Sequence, residues 1–321
     1  MLQLRIATPA ALADDVLALL DDDPAVSSLG RVRGASITPP GDLFFADVAR
    51  EAANDLIERL RALGVHEHGT LHIDPAETWM SRDGYAAERL APGSGADSVV
   101  WAEVTQRAYA DSELNWTFLS FMTLATLLAS IAIVLDSQVL VIGAMVIGPE
   151  FTAIAALGLA LVRRRPALLG FALRSLVVGF GTAIVLATLA ALLGRAAGWV
   201  DAGAITAPRP LTGFVYSPDR WSFLIAVIAG AAGVLSLTSS KVGGLSGVFI
   251  SVTTIPAAGN LALALAFGLP AEIRGSALQL AVNIAGMALA GWVTLALQQT
   301  LWRRVPAPRA HQIPPPGRTS S

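Results

Sequence analysis

Six long apolar runs occupy most of the C-terminal part of the chain and limit what it can fold into. Each has about twenty residues or more, enough for a helix to cross a hydrocarbon core of roughly 30 Å. Inside lipid, every backbone polar group must be paired within the protein, so such runs are expected to be helical. They lie at 116–135, 139–162, 167–194, 221–240, 245–268 and 275–302. We therefore expect an all-α polytopic membrane domain of six transmembrane helices over 116–303, embedded in a lipid bilayer.

The residues before these runs have a different composition. The whole chain is 54% hydrophobic and 14% charged, with a mean hydropathy of +0.60, whereas an ordinary soluble domain has roughly 25% charged residues. Most of the acidic and basic residues fall before residue 116. We expect a soluble domain at 1–78, a linker and membrane-proximal helix at 79–115, and a disordered tail rich in proline and arginine at 304–321.

The soluble domain has the pattern of a small α+β fold. Residues 2–6 alternate apolar and polar side chains, as in a half-buried strand, and amphipathic helical and strand patterns follow in the order β-α-β-β-α-β. This order is typical of a ferredoxin-like domain. His66, His68 and His72 fall on even positions of the last predicted strand, where they either share a face as metal ligands or form its solvated face. The solvated face is favoured, because Leu71 and Ile73 occupy the alternate positions.

The charges between the apolar runs predict the orientation of the chain. Arg163 to Arg165, Lys241, and Arg303 with Arg304 follow the second, fourth and sixth runs, so they all fall on one side of the membrane. By the positive-inside rule this side is cytoplasmic, with both termini inside. The first residues lack the basic start and continuous apolar stretch of a secretory signal. We therefore expect the ferredoxin-like domain in the cytoplasm.

The apolar part of the chain contains an internal repeat. Gly143 matches Gly247 and Pro166 matches Pro270, both at an offset of 104 residues (247 − 143 and 270 − 166). Trp116 matches Trp221 at an offset of 105, which extends the repeat to three runs with one residue of length change. Three crossings are an odd number, so the second copy enters the membrane from the opposite side. The sequence thus predicts two inverted three-helix repeats, an arrangement that recurs in transporters.

Two corresponding runs are interrupted by residues that disfavour helix. Gly148, Pro149 and Glu150 break the second run, and the segment from Ser251 to Pro256, followed by Gly259 and Asn260, breaks the fifth. Paired interruptions of this kind indicate a binding site, because freed backbone groups need polar partners. Glu150 is the leading candidate, as a proton carrier, a cation ligand or the structural partner of Arg174. The candidate substrate or ion-binding residues are Gly148, Pro149, Glu150, Thr152, Ser251, Thr253, Thr254, Pro256 and Asn260. The secondary candidates are Arg174, Gln279 and Asn283.

The two interrupted segments also carry a family resemblance. Gly143-Ala-Met-Val-Ile-Gly-Pro149-Glu150-Phe and Gly247-Val-Phe-Ile-Ser-Val-Thr-Thr-Ile-Pro256-Ala-Ala-Gly-Asn260 resemble the prokaryotic hydrophobic membrane family known as domain of unknown function 389 (DUF389). The resemblance covers roughly residues 110–300 fully and the N-terminal domain loosely. It implies a multi-pass protein of a prokaryotic inner (plasma) membrane, and it implies no activity.

The remaining features favour transport over other functions. The formal net charge of −2 offers no basic surface for nucleic acid, and the absence of cysteine excludes thiol chemistry and cysteine metal sites. No histidine falls in an apolar run and no hydrolase or zinc motif occurs, so an enzyme is not expected, nor is a cofactor or metal. We expect a transporter or channel for an ion or small solute, as a homo-oligomer with a cytoplasmic regulatory or assembly domain. The alternative is a receptor or oligomeric scaffold whose soluble domain binds a ligand or partner.

Overall fold

The computed structural model describes residues 1–76, 78–91, 99–217, 219–238 and 253–302. Within these residues the chain divides into an N-terminal compact unit, which runs to Val104, and a helical unit that begins at Thr105. The two units are described separately below.

The N-terminal unit is built around a four-stranded sheet. Its elements are β1 (Leu2–Pro9), α1 (Ala10–Asp21), β2 (Val26–Ile37), β3 (Pro40–Val48), α2 (Ala53–Ala62), α3 (Val65–His68), β4 (Thr70–Pro75) and α4 (Arg82–Leu90). The strands pair in the order β2-β3-β1-β4, and every pair is antiparallel. Leu2, Leu4 and Ile6 alternate along β1 and are fully buried, as the period-two pattern predicts.

The histidines do not share one strand face. Gly64 takes a left-handed conformation (φ 79°) and starts the short helix α3, which contains His66 and His68. Only His72 lies on β4. All three side chains are exposed, and the residues described here contain no group of three histidine or acidic side chains that could hold a metal ion.

The helical unit contains several helices that are long and apolar enough to cross a membrane. After α5 (Trp101–Asp111), which bridges the two units, the helices are α6 (Trp116–Val134), α7 (Gln138–Ile147), α8 (Glu150–Val162), α9 (Pro166–Ala196), α10 (Ala202–Thr206), α11 (Arg220–Thr238), α12 (Thr254–Phe267) and α13 (Pro270–Trp302). The helices α6, α9, α11 and α13 each have this length, and α7 with α8 makes a fifth candidate span bent by 57°. The helix α12 is apolar but shorter. The first part of the predicted run 245–268 lies outside the described residues.

The helix boundaries recur 104 residues further along the chain. The helices α6 and α11 begin at 116 and 220, α8 and α12 at 150 and 254, and α9 and α13 at 166 and 270 (220 − 116 = 254 − 150 = 270 − 166 = 104). The caps recur too: the N–H of Phe118 donates to Oδ1 of Asn115, and the N–H of Ser222 donates to Oδ1 of Asp219, both at 2.8 Å. Because these caps are also 104 residues apart, Trp116 corresponds to Arg220, and the predicted one-residue shift at Trp221 is wrong.

The turns before α9 and α13 have the same geometry. Arg164 and Gly268 both have positive φ, 51° and 68°. In each turn the next residue donates to the carbonyl five residues earlier at 2.9 Å, Arg165 to Ala160 and Leu269 to Ala264. Both helices then begin with proline, where the missing N–H leaves no intrahelical bond unmade.

Small residues allow the short helices to pack closely against long ones. A Cβ at Gly158 of α8 would lie 2.9 Å from the backbone nitrogen of Trp292 in α13, and one at Gly259 of α12 would lie 2.8 Å from Cβ of Ala129 in α6. Such close approach is the usual way in which helices associate in lipid. The short helix α8 therefore packs against α13, and the short helix α12 packs against α6.

Candidate functional site

The break between α7 and α8 lies at Gly148 and Pro149, as the sequence predicts. Gly148 is extended (φ −65°, ψ 126°), and Pro149 precedes the first residue of α8. A Cβ on Gly148 would overlap Oε2 of Glu150 and lie 2.7 Å from Cγ1 of Ile255. This position therefore has no room for a side chain.

The carboxyl group of Glu150 lies where the N-termini of two short helices meet. Glu150 is the first residue of α8, and Thr254 is the first residue of α12. The hydroxyl of Thr254 donates to Oε1 of Glu150 at 2.6 Å. Both residues are buried, with 6% and 1% of their surfaces exposed. The other carboxyl oxygen, Oε2, has no hydrogen-bond partner among the described residues.

A second polar group adjoins this contact through the backbone. The side-chain amides of Gln279 and Asn283 donate to Oγ1 of Thr253 at 2.9 and 2.8 Å. Gln279 and Asn283 lie one turn apart on α13 and are almost completely buried. Within the part of the chain that the structure describes, Oε1 of Gln279 has no partner. We call Glu150, Thr253, Thr254, Gln279 and Asn283 the polar cluster.

A cavity of about 330 Å³ leads to one side of the polar cluster. Thr253 and Asn283 line it, and Asp219, Trp221 and Ser222 line it at the start of α11. The backbone N–H of Ser222 and the Ser222 hydroxyl both hydrogen-bond to the Asp219 carboxylate and lower its pKa. Asp219 therefore stays ionised near neutral pH. Asp219 and Trp221 thus line the same cavity as Asn283 of the polar cluster.

Asn260 belongs to a separate set of hydrogen bonds. Arg209 donates from Nη1 to Oδ1 of Asn260 at 2.9 Å and from Nη2 to Oε1 of Glu272 at 2.6 Å. The Asn260 amide donates to Oε2 of Glu272 and to the hydroxyl of Ser276. The Arg209 guanidinium also lies over the ring of Tyr216, 4.9 Å from its centroid. We call Arg209, Asn260, Glu272 and Ser276 the Arg209 network.

The structure separates the predicted site residues into two groups. The polar cluster joins Glu150, Thr253 and Thr254 with the secondary candidates Gln279 and Asn283. Asn260 lies in the Arg209 network, which holds the loop before α11 against α12 and α13. Pro256 is buried in the first turn of α12, where a missing N–H has little cost.

The other candidates do not join the cluster. Thr152 donates to the carbonyl oxygens of Asp111 and Pro149. Arg174 is exposed on α9, and Glu150 bonds to Thr254 instead of to Arg174. Ser251 lies outside the described residues.

Sequence reasoning missed Arg209 and Glu272. They are 63 residues apart and neither lies within an interrupted run, so no local pattern connects them. The available signal was Glu272 itself, a carboxylate in the first turn of a long apolar helix.

Comparison with known proteins identifies a family for the central part of the chain. The profile of a family described as "Domain of unknown function (DUF389)" matches residues 145–289. No curated protein and no solved structure gives a significant match. The matched region contains every residue of the polar cluster and confirms the resemblance seen in the two interrupted segments. Residues 145–289 therefore resemble the DUF389 family, whose description states no activity.

Proposed function

We propose that this protein is a membrane transporter or channel for an ion or small solute, with its binding site at the polar cluster. The observation that carries the proposal is the buried Glu150 carboxyl group with one oxygen unpartnered in the described chain. An ionisable group deep in a membrane costs at least about 2.5 kcal/mol unless it is paired, hydrated or neutralised. A polar ligand, a proton or water is therefore needed at Oε2.

The contacts between the two halves support an inverted repeat. Gly158 approaches the backbone of Trp292, and the hydroxyl of Thr188 donates to the carbonyl of Ala262. These are equivalent pairs, because 262 − 158 and 292 − 188 are both 104, with the halves exchanged. Glu150 and Thr254 are also 104 residues apart, so their contact is its own equivalent. Such a contact belongs on a pseudo-two-fold axis, which is where transporters with inverted repeats bind substrate.

The two halves differ in a way that supports alternating access. The cavity runs beside Ser222 and Asn283, whose equivalents in the first half are Phe118 and Gly179 (222 − 118 = 283 − 179 = 104). There the Phe118 ring lies 2.7 Å from an added Cβ of Gly179, so the equivalent space is filled. One half is open beside the polar cluster and the other is closed. Exchange of these two arrangements would open the site to the opposite face.

The N-terminal unit fits a cytoplasmic regulatory or assembly role. Its antiparallel order β2-β3-β1-β4 agrees with a ferredoxin-like fold. The charge distribution favours cytoplasmic termini in a prokaryotic plasma membrane. We also propose a homo-oligomer, the commonest kind of oligomer among proteins in general. We propose six spans in all, the fifth of which is the predicted run 245–268.

One observation favours the alternative of a receptor or scaffold. The Arg209 network gives hydrogen-bond partners to both side-chain groups of Asn260, as expected of a purely structural bundle. The polar cluster separates the two hypotheses, because a structural bundle gives no reason for unpartnered oxygens on Glu150 and Gln279.

Flux measurements test the proposal. Purified protein in proteoliposomes is screened for charge movement or solute uptake with a panel of ions and small metabolites, beside a Glu150→Gln variant. We expect flux of at least one solute by the wild type and its loss in the variant. Glu113→Gln, which changes an exposed carboxylate of the same unit, is the matched control and should retain flux. Flux that is unchanged in Glu150→Gln, or silence of the wild type across the panel, would contradict the proposal.

A further inference from the structure

We infer that the polar cluster binds a small monovalent cation, with Oε2 of Glu150 and Oε1 of Gln279 as its protein ligands. The inference rests on the transport site proposed above and names its substrate or coupling ion. It is carried by the chemical character of the two buried atoms of the polar cluster that have no hydrogen-bond partner among the described residues.

Both unpartnered atoms are acceptors. Oε2 of Glu150 and Oε1 of Gln279 are oxygens, and their residues are 6% and 2% exposed. While Glu150 is ionised, two acceptors cannot satisfy each other, so the missing partner must be positive or must donate hydrogen bonds. An anion or an acceptor-only solute would leave both oxygens unpaired and would face the charge of Glu150.

Side-chain donors of Thr254, Gln279 and Asn283 form hydrogen bonds within the cluster. Thr254 donates to Oε1 of Glu150, and the amides of Gln279 and Asn283 both donate to Oγ1 of Thr253. These bonds hold Glu150 against Thr254 and Gln279 against Thr253. Because Thr253 and Thr254 are consecutive residues, the two side chains that carry the unpartnered oxygens are held by neighbouring positions of the chain. The site is therefore built by hydrogen bonds that do not involve the free oxygens.

Charge favours a monovalent cation over a divalent one. When ionised, Glu150 supplies one negative charge at the site, and a divalent ion would leave an excess positive charge in an apolar domain. The N-termini of α8 and α12 each carry about half a positive charge, which opposes any cation. The carboxylate outweighs them because it carries a full charge in direct contact with the ion, whereas the helix charges are spread over backbone groups farther away.

The cavity provides a route for such an ion. It reaches Thr253 and Asn283 of the cluster, and the ionised Asp219 lies at the beginning of α11 along its wall. Trp221 and Phe214 contribute aromatic faces to the same wall, which attract cations. The cavity therefore brings a cation as far as the Thr253 and Asn283 side of the polar cluster.

Cation-dependent thermal unfolding of the full chain tests the inference without requiring transport. The protein is purified in detergent in choline chloride, and sodium, potassium or ammonium chloride replaces choline at constant ionic strength and fixed pH. The seven tryptophans report unfolding by fluorescence. A cation at ten times its dissociation constant should shift the unfolding equilibrium about tenfold toward the folded state. The three salts distinguish an alkali ion from an ammonium group.

Two variants and their controls locate the effect. Glu150→Gln and Gln279→Met should each raise the concentration needed for half of the shift at least tenfold. Glu113→Gln and Gln106→Met make the same chemical changes at exposed positions of the same unit and should leave it unchanged. The absence of any monovalent response, a response to divalent ions alone, or an unchanged response in both cluster variants would overturn the inference.

The outcome is separable from that of the flux experiment. Stabilisation by a cation without flux would overturn transport and leave the cation site standing. Flux of a solute without any cation response would overturn the cation site and leave transport standing.

Discussion

Removal of Arg209 should strongly destabilise the helical unit. Its guanidinium contacts Glu272 at 2.6 Å, and the two side chains are 4% and 15% exposed. Breaking a buried ion pair by removing one partner costs about 3–5 kcal/mol, because the remaining charge is left uncompensated. Arg209→Met should therefore lower the free energy of unfolding by about that amount, whereas an exposed pair would contribute about 1 kcal/mol or less.

The double variant Arg209→Met with Glu272→Met provides the internal check. It removes both charges, so it should be less destabilised than the sum of the two single variants, and the difference measures the coupling. Equilibrium unfolding of the purified chain in mixed micelles is the assay. Arg220→Met, at an exposed arginine that begins α11, should change stability by about 0.5 kcal/mol or less. A loss below about 1 kcal/mol for Arg209→Met would refute the assignment of a buried, coupled network.

Three further predictions concern other parts of the chain. Gly158→Ala should destabilise the helical unit by about 1–3 kcal/mol, because the new Cβ meets the backbone of α13. The control is Gly170→Ala, where an added Cβ has nothing within 4 Å. It should be neutral or slightly stabilising in the same unfolding assay. The Gly34 N–H and the Arg31 guanidinium lower the pKa of Asp42. The contribution of Asp42 to the stability of the N-terminal unit is therefore fully present above about pH 4 and is lost as pH falls through the lowered pKa. Amide exchange in β3 should show this loss in the wild type and not in Asp42→Asn. Thr254→Val should reduce flux at least tenfold because it removes the donor to Glu150, and Thr254→Ser should retain it; equal flux in both would contradict a role for this hydrogen bond.

The sequence was most informative where periodicity and helix-breaking residues dictate structure. The apolar runs predicted α6, α9, α11 and α13 closely, and Gly148 with Pro149 predicted the bend between α7 and α8. These features are local, because burial in lipid and the missing N–H of proline act on the residues that carry them. The alternation in β1 located the first strand for the same reason.

Contacts between distant segments were harder to predict. The pairing of Arg209 with Glu272 joins a loop to a helix 63 residues away, and composition alone does not specify such a partner. The repeat offset of 104 does relate Glu150 to Thr254, but their hydrogen bond depends on how the two short helices pack. His66 and His68 were placed on a strand because their alternation matched, and the left-handed Gly64 turns that segment into a helix instead.

Reciprocal accessibility of the two halves tests the central claim most directly. The chain contains no cysteine, so each introduced cysteine is a unique probe. Ser222→Cys places a thiol in the cavity, and Met122→Cys places one beside Phe118 and Gly179, where the residue is fully buried. The measurement is thiol labelling from either face of membrane vesicles. If a transported ion or solute raises the labelling of Met122→Cys from one face, the account predicts that it lowers the labelling of Ser222→Cys from the opposite face. Labelling of Met122→Cys that stays absent under every condition, while flux proceeds through the same variant, would contradict alternating access through inverted repeats.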